Sequence, residues 1–359
     1  MTTLAVSSRL NKQLTLTLRE RLDLLAELGR YLRSGGDADL ETAIRQSYQE
    51  NKWFTEENVR NALTAIGEAF LDRGKLETWA SAYPIQSGKH PLKTVGLVMA
   101  GNIPLVGFHD WLCVFVAGYR AKVKLSDKDK RLLPLLVHKM GEWMHESREY
   151  TEFLSDGDYL NGIDAVVATG SNNSARYFEQ YFSKYPHVIR RNRNGIAVLN
   201  GSETLADLYA LGRDIFSYFG LGCRNVSKMY VPRGYNFDAL LEALHEYRDI
   251  VNHDKFKNNF DYNLTLILLN NMPYKNNGCL LLREDASIQS RIASVHYEFY
   301  DDAVQLDQSI SAQLDEIQCI VGNIRLTSFP VIPFGQSQQP GLSDYADGVD
   351  LMAFLTALG

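Results

Sequence analysis

Cys223 stands in FGLGCRN (219–225), three residues after one glycine and directly after another. A cysteine that only fills core space gains nothing from glycines, which loosen the backbone and carry no side chain to pack. In an open turn beside Arg224, the thiol has what nucleophilic sulfur needs: partial exposure and a nearby cation that favours thiolate. A buried loop cysteine explains this stretch equally well when it is taken alone. The second candidate is Asn102 in GNIP (101–104), at the end of the apolar run KTVGLVMA (93–100). An amide at a strand mouth can aim an N–H into a crevice and stabilise a developing oxyanion; an ordinary asparagine cap is the alternative. In KLSD (124–127), Lys124 could reach a ribose or phosphate and Asp127 could accept from ribose hydroxyls, or the stretch is a solvated charged turn. In TGS (169–171), Gly170 and Ser171 close a strand and open a helix, whose N-terminus is an anion site, although no GxGxxG is present.

The elements that must hold these residues are legible in the periodicity. LRERLDLLAELGRYLRSGG (18–36), DLETAIRQSYQEN (39–51) and TEENVRNALTAIGEAFLDRG (55–74) read as helices, with Thr55 as an N-cap before two acids. YPIQSGKHP (83–91) breaks the pattern as a linker. From residue 93, apolar strands (93–100, 121–126, 164–170) alternate with helices (104–118, 128–147, 171–185), the signature of a parallel sheet covered on both faces. Ligands sit at the carboxyl ends of such strands, and here those ends carry GNIP, SDKD and TGSN. The second half reads as a helix over 203–220 leading into the cysteine turn, a strand at 228–232 and a helix over 235–249. Strands at 278–284 and 294–301 and a helix over 309–318 follow.

The bulk numbers exclude several classes. A chain of 359 residues with 45% hydrophobic and 22% charged residues can bury a sizeable core. A net charge of −6 leaves no basic excess to neutralise phosphates, so no nucleic-acid partner is expected. No stretch approaches the roughly 20 apolar residues of a membrane span; WLCVFVAG (111–118) is too short. The start, MTTLAVSSRLNKQ, lacks the pattern of a secretory signal, and Cys113, Cys223, Cys279 and Cys319 lie far apart, so reduced thiols in a cytoplasm are expected. The eight histidines lack metal-ligand spacing, and His138 and His145 fit a shared helix face better than a ligand pair, so no metal is expected.

Together, GNIP, KLSD, ATGS and GLGCRN resemble the aldehyde dehydrogenase superfamily over roughly 93–232. There the order is an Asn-Phe-Pro turn, a Lys-Pro-Ser-Glu strand end, a Thr-Gly-Ser turn and a Gly-Gln-x-Cys loop. LDEIQCIVG (314–322) looks like its Glu-x-Phe-Gly-Pro-Val segment, and IPFGQSQQPGLSDYADG (332–348) like its Pro-Phe-Gly-Gly-x-x-x-Ser-Gly stretch. VGLVMAGNIP, AKVKLSDKD, the helical amino-terminal region and the short chain are most similar to the LuxC-type acyl-CoA reductases. The resemblance implies an α/β fold: a Rossmann-type cofactor domain (91–194), a second α/β catalytic domain carrying the cysteine (195–325), a helical region (1–90) and a segment returning to the cofactor domain (326–359). It places Cys223 and Asn102 as catalytic residues. Ala100, Gly101, Lys124, Ser126, Asp127, Gly170, Ser171 and Glu316 fall at cofactor positions, with Glu316 on the nicotinamide ribose.

One departure sharpens the expectation. Hydrolytic relatives carry a glutamate in a Glu-Leu-Gly-Gly strand to activate water, whereas HVIRRNRNGIAVLNG (187–201) contains no carboxylate. An acyl-Cys223 thioester is then expected to hydrolyse slowly, which favours reduction of an acyl-CoA to an aldehyde with NADPH or NADH, and with coenzyme A as the leaving group. Arg190, Arg191 and Arg193 make that segment basic, as a solvated edge or an attractor of coenzyme A phosphates. Asp127 leans towards NADH and Lys128 could serve a 2′-phosphate. An acyl-phosphate reductase of the same fold is a second reading. A quiet scaffold binding an acyl-activating ligase partner through the helical region is a third. The superfamily implies a homo-oligomer.

Overall fold

Side-chain caps fix where the first helices begin. Thr17 accepts from the Glu20 N–H while Glu20 accepts from the Thr17 N–H, the reciprocal box that opens α1 (Leu18–Arg33). Asp37, Thr55 and Asp72 cap α2 (Ala38–Glu50), α3 (Glu56–Ala69) and α4 (Arg73–Ser81). The single helix expected over 55–74 is therefore two, because Asp72 accepts from the Lys75 N–H and starts a new one. The computed structural model describes residues 16–85, 93–327 and 329–359. The opening MTTLAVSSRLNKQ and residues 86–91 of the expected linker lie outside the described residues.

The next segment builds one sheet: β1 (Thr94–Val98), α5 (Phe108–Ala117), β2 (Arg120–Lys124), α6 (Leu132–Trp143), β3 (Thr151–Phe153), β4 (Ala165–Thr169), α7 (Asn172–Tyr181) and β5 (His187–Arg190). The strands run in the order β3-β2-β1-β4-β5 with every pair parallel. Register sets Val98 beside both Lys124 and Ala168. The turns GNIP, SDKD and TGS therefore leave one edge of three adjacent strands. The core that fixes this edge includes α5, whose Trp111, Cys113, Val114 and Phe115 are buried, packed with α1 and α6. Buried Arg21 of α1 stitches the two layers by donating to the Val116 carbonyl (3.1 Å) and the Leu16 carbonyl (2.7 Å).

The second sheet comprises β6 (Asn194–Val198), α8 (Leu205–Phe216), β7 (Val226–Pro232), α9 (Asp238–His245), α10 (Asp254–Leu269), β8 (Lys275–Asn276), β9 (Leu281–Glu284), β10 (Ser294–Tyr300), α11 (Ala303–Ser311), β11 (Ile317–Gly322) and β12 (Val331–Ile332). Its order is β12-β11-β6-β7-β10-β9-β8, parallel except for the short β8/β9 pair. The helix expected over 309–318 stops at Ser311, and IQCIVG becomes a fully buried central strand. Helix α10 has no counterpart among the expected helices. Phe256, Phe260 and Ile267 bury a single narrow stripe among asparagines and lysines. A last helix, α12 (Leu351–Thr356), brings Leu351, Met352 and Leu355 into the core shared by α1, α5 and α6.

Residues 191–193 join the end of β5 to the start of β6, and the chain crosses back between β12 and α12. The carboxyl ends of the first sheet are thereby joined to the amino ends of the central strands of the second. The turn carrying Asn102 is pinned at this edge. Leu105 has φ 56, a left-handed conformation that leucine seldom adopts, and Asp129 Oδ2 accepts its N–H at 2.7 Å.

Burial pushes the Asp129 carboxyl up to about 6, and its Oδ1 is buried without a partner. The sign follows directly: between pH 4 and 6 the unfolded chain ionises this acid while the folded chain does not. The contribution is thus fully present below pH 4 and lost as pH rises through 6. Asp129→Asn keeps an oxygen for the Leu105 N–H and removes the charge. The variant is expected to be more stable than the parent at pH 7.5, by on the order of 1–3 kcal/mol, with the difference vanishing near pH 4. Urea midpoints at the two pH values test this; a less stable variant at pH 7.5 contradicts it.

Candidate functional site

The loop carrying Cys223 is organised by a residue the sequence did not single out. Asn225 is buried, and its Oδ1 accepts from the Gly222 N–H at 2.8 Å. Its Nδ2 donates to the carbonyls of Asp214 (2.9 Å) and Ser217 (2.9 Å), with a longer contact to Ile215 (3.4 Å). One carboxamide thus satisfies the open end of α8 and both flanks of the thiol. Beneath it, β6 comes close because Gly195 has no side chain. A Cβ there would lie 2.6 Å from the Arg224 oxygen and 2.9 Å from the Asn225 oxygen.

Asn102 reaches the same loop from the other sheet. Its Nδ2 donates to the Leu221 carbonyl at 2.7 Å, two residues before Cys223. An amide carries two N–H donors, so one is accounted for here. Asp214 joins a third segment to the site: its carboxylate accepts from the N–H groups of Gly335 (2.6 Å) and Ser337 (2.9 Å). The IPFGQS stretch is thus tied to the end of α8, and Gln338 Oε1 lies 3.6 Å from the Cβ position of Gly222.

Cys223 is half-buried where two cavities meet. The larger, about 1740 Å³, is walled by GNIP, Ser126, Lys128, the Thr169–Ser174 turn, helices α3 and α4, and residues 338–347. The smaller, about 160 Å³, is lined by Phe216, Phe219, Phe256, Leu280, Ile292 and Val295. Leu221, Asn192 and Gln289 border both along with Cys223. Backbone strain gathers at the same place. Six non-glycine residues among those described have positive φ, and five of them, Leu105, Tyr218, Phe219, Ala293 and Asp347, line one cavity or the other. Such strain persists only where packing over-determines it. Phe219 is held between Trp53 of the amino-terminal region (5.3 Å between ring centroids) and His253 (4.3 Å).

Electrostatics around the thiol are mixed. Burial pushes the Cys223 thiol up, Arg224 pulls it back, Asp347 raises it and Arg190 lowers it. The arginine-rich connector is not a free basic patch. Arg190 is buried against Asp110 at 2.5 Å, Arg191 pairs with Glu179 at 2.6 Å, and Arg193 pairs with Asp347 at 3.4 Å. Arg224, in contrast, makes only a 3.4 Å bond to the Asp344 carbonyl and no ion pair among the described residues.

The cofactor positions divide. Ala100, Gly101, Ser126, Gly170 and Ser171 border the large cleft, and Ser171 caps α7 by accepting from the Ser174 N–H. Lys124, Asp127 and Glu316 do not line it. Lys124 Nζ donates to the Ser155 carbonyl (3.3 Å). Asp127 is exposed and pairs with Lys130 at 2.8 Å, which holds its carboxyl below the usual range. Glu316 is exposed in a one-turn 3-10 helix ahead of β11, and Gln318 faces the cleft instead. Among the described residues no cluster of metal-binding side chains forms, and no helix is long and apolar enough to cross a membrane.

No protein-family model and no curated protein sequence matches the chain. Its architecture does match solved structures. The fold is that of the aldehyde dehydrogenases. An NAD-dependent aldehyde dehydrogenase from Sinorhizobium meliloti superposes with TM-score 0.64 at 13% identity, over 87% of this chain and 71% of that one. An E. coli NADP dependent enzyme gives 0.64 at 12% (88% and 75%), and a NAD-dependent benzaldehyde dehydrogenase from Corynebacterium glutamicum 0.62 at 11% (88% and 78%).

Two outcomes are expected at the loop. Asn225→Asp keeps the acceptor for Gly222 but loses the donors to Asp214 and Ser217, leaving buried carbonyls unpaired. Stability should fall by about 2–4 kcal/mol, and selective alkylation of Cys223 should be lost; denaturant midpoints and mass-mapped iodoacetamide labelling measure both. Arg224→Gln removes the strongest favourable charge at the thiol. Alkylation of Cys223 should slow several-fold at pH 8 and match the parent at a pH high enough to ionise either thiol; equal rates at pH 8 would show the charge is not felt.

Proposed function

We propose that the chain is an NAD(P)H-dependent reductase that converts an acyl-CoA thioester, of fatty acyl type, to the aldehyde through an acyl-Cys223 intermediate. The observation that carries the proposal is the thiol at the junction of a large cleft and a small side cavity, with the Asn102 amide beside it. Phe216, Phe219 and Phe256 give the small cavity one apolar wall for the first carbons of an acyl group, opposite polar Asn192, Gln289 and Ser290. The large cleft has the room for a dinucleotide, together with the Gly170–Ser171 turn and the capped α7 terminus for its phosphates.

In this reading the Cys223 sulfur attacks the thioester carbonyl carbon. The second N–H of Asn102 and the Cys223 backbone N–H hold the oxyanion until the C–S bond to coenzyme A breaks. Leu221 accepts the first Asn102 N–H and keeps the amide in place. Ala100, Gly101, Ser126, Gly170 and Ser171 would hold the nicotinamide dinucleotide, which when bound supplies the hydride that the acyl carbon takes up. Asn102 then stabilises the thiohemiacetal oxygen before the aldehyde leaves Cys223. Segment 187–201 offers no carboxylate to drive hydrolysis of the acyl-enzyme.

Arg224 favours one second reading. The pantetheine arm of coenzyme A is uncharged next to its sulfur, whereas an acyl phosphate would place an anion beside this guanidinium. NAD(P)H oxidation with fatty acyl-CoA against acyl phosphates separates the two. Cys223→Ala is expected to abolish acyl labelling from radioactive acyl-CoA, and Asn102→Ala to lower turnover on the order of 100-fold. Undiminished labelling of purified Cys223→Ala protein would sink the assignment.

A further inference from the structure

The connector segment lacks a carboxylate, yet the tertiary structure brings one to the cleft from far along the chain. Asp347 belongs to the closing segment, lines the large cleft with Cys223, and its side chain is only 11% exposed. It sits at φ 60, left-handed backbone that an aspartate tolerates but does not prefer. Two adjacent residues of β11 fix its neighbourhood: Gln318 Oε1 accepts the Asp347 N–H at 3.2 Å, and Cys319 Sγ reaches the Arg224 carbonyl at 3.7 Å. The Asp347 N–H and the Arg224 carbonyl are thus each tied to one of two consecutive residues of β11.

We propose that Asp347 is the proton acceptor for Cys223. The carboxylate takes the S–H proton as sulfur attacks the acyl carbon; when the tetrahedral adduct collapses, the departing sulfur takes that proton back, leaving acyl-Cys223, a free thiol and the carboxylate. The return of the proton rests on the thioester reading above, whereas its removal does not. Burial raises the Asp347 carboxyl towards the thiol, against the pull of Arg193 and Arg190 and of the Arg191 N–H, and Asp110 adds to the rise. The carboxylate in turn raises Cys223, keeping the proton on sulfur until attack. A base nearer the thiol in basicity transfers a proton more readily. The cleft wall carries other titratable groups: Asp110 is paired with buried Arg190, Asp344 accepts the Gly341 N–H (2.7 Å), and Glu68 is exposed on α3. His109 has Nε2 against the Leu342 carbonyl (3.0 Å) and its ring packed against Phe70 and Tyr345.

The test is the rate of Cys223 acylation by p-nitrophenyl acetate across pH, without cofactor, in the parent, Asp347→Asn and Asp347→Gly, both replacements being compatible with the left-handed backbone. Asp347→Asn should be slower on the order of 100-fold at pH 7 and converge with the parent at a pH where the thiol ionises unaided. Added acetate should restore part of the Asp347→Gly rate at an unchanged thermal midpoint. A carboxylate that merely repels the thiolate gives the opposite sign, a faster Asp347→Asn, and that result or an equal rate overturns the proposal. A loss of rate that tracks a lowered midpoint with no acetate rescue also overturns it, in favour of a structural pair with Arg193. If ester acylation depends on Asp347 but acyl-CoA drives no NAD(P)H oxidation, the thioester reading fails and the base assignment stands.

Discussion

The position of the thiol depends on one buried side chain. The buried Asn225 carboxamide faces the carbonyls at the end of α8 and the Gly222 N–H at once. In such a setting each hydrogen bond left unmade costs the full desolvation of its group. The helix end, the glycine turn and the entry to β7 are therefore locked as a unit. Asp214, whose carbonyl Asn225 caps, uses its carboxylate to hold Gly335 and Ser337. The nucleophile loop and the closing segment share a single anchor.

That anchor permits strained backbone around it. Tyr218 and Phe219 adopt left-handed conformations in succession, just before the loop. Phe219 is wedged against Trp53 and His253, and the His253 ring in turn contacts the Lys52 carbonyl at 2.8 Å. The amino-terminal helices are therefore part of the site: they wall the large cleft through α3 and α4 and brace the aromatic that precedes the thiol. A partner-binding role for this region would have to coexist with that packing.

Charge is arranged by pairing. The three arginines of the connector are each committed to a carboxylate from a different element: α5, α7 and the closing segment. The Arg190–Asp110 pair is buried and costs several kcal/mol when one partner is removed, whereas the exposed Arg191–Glu179 pair contributes little. Their effect is to fix where the sheets meet and to leave Arg224 as the cation beside the sulfur.

The sequence by itself determined the parallel first sheet, since apolar strands alternating with amphipathic helices have no other way to bury both faces. It also determined the order of GNIP, KLSD, ATGS and GLGCRN, and hence the aldehyde-dehydrogenase fold. Five of the eight cofactor positions drawn from it border the cleft. Local pattern failed where long-range contact decided. The 309–318 helix gave way to a buried strand because β6 needed a parallel partner on its open edge. Lys124 and Asp127 pair with neighbours outside the cleft, and Glu316 is exposed and does not line it. Asn225, Asp214 and Asp347 were unreadable in sequence for the opposite reason. Their side chains act on groups far along the chain, Asp214 on Ser337 at 123 positions and Asp347 on Arg193 farther still, or line a cleft that only the packing of the two sheets creates.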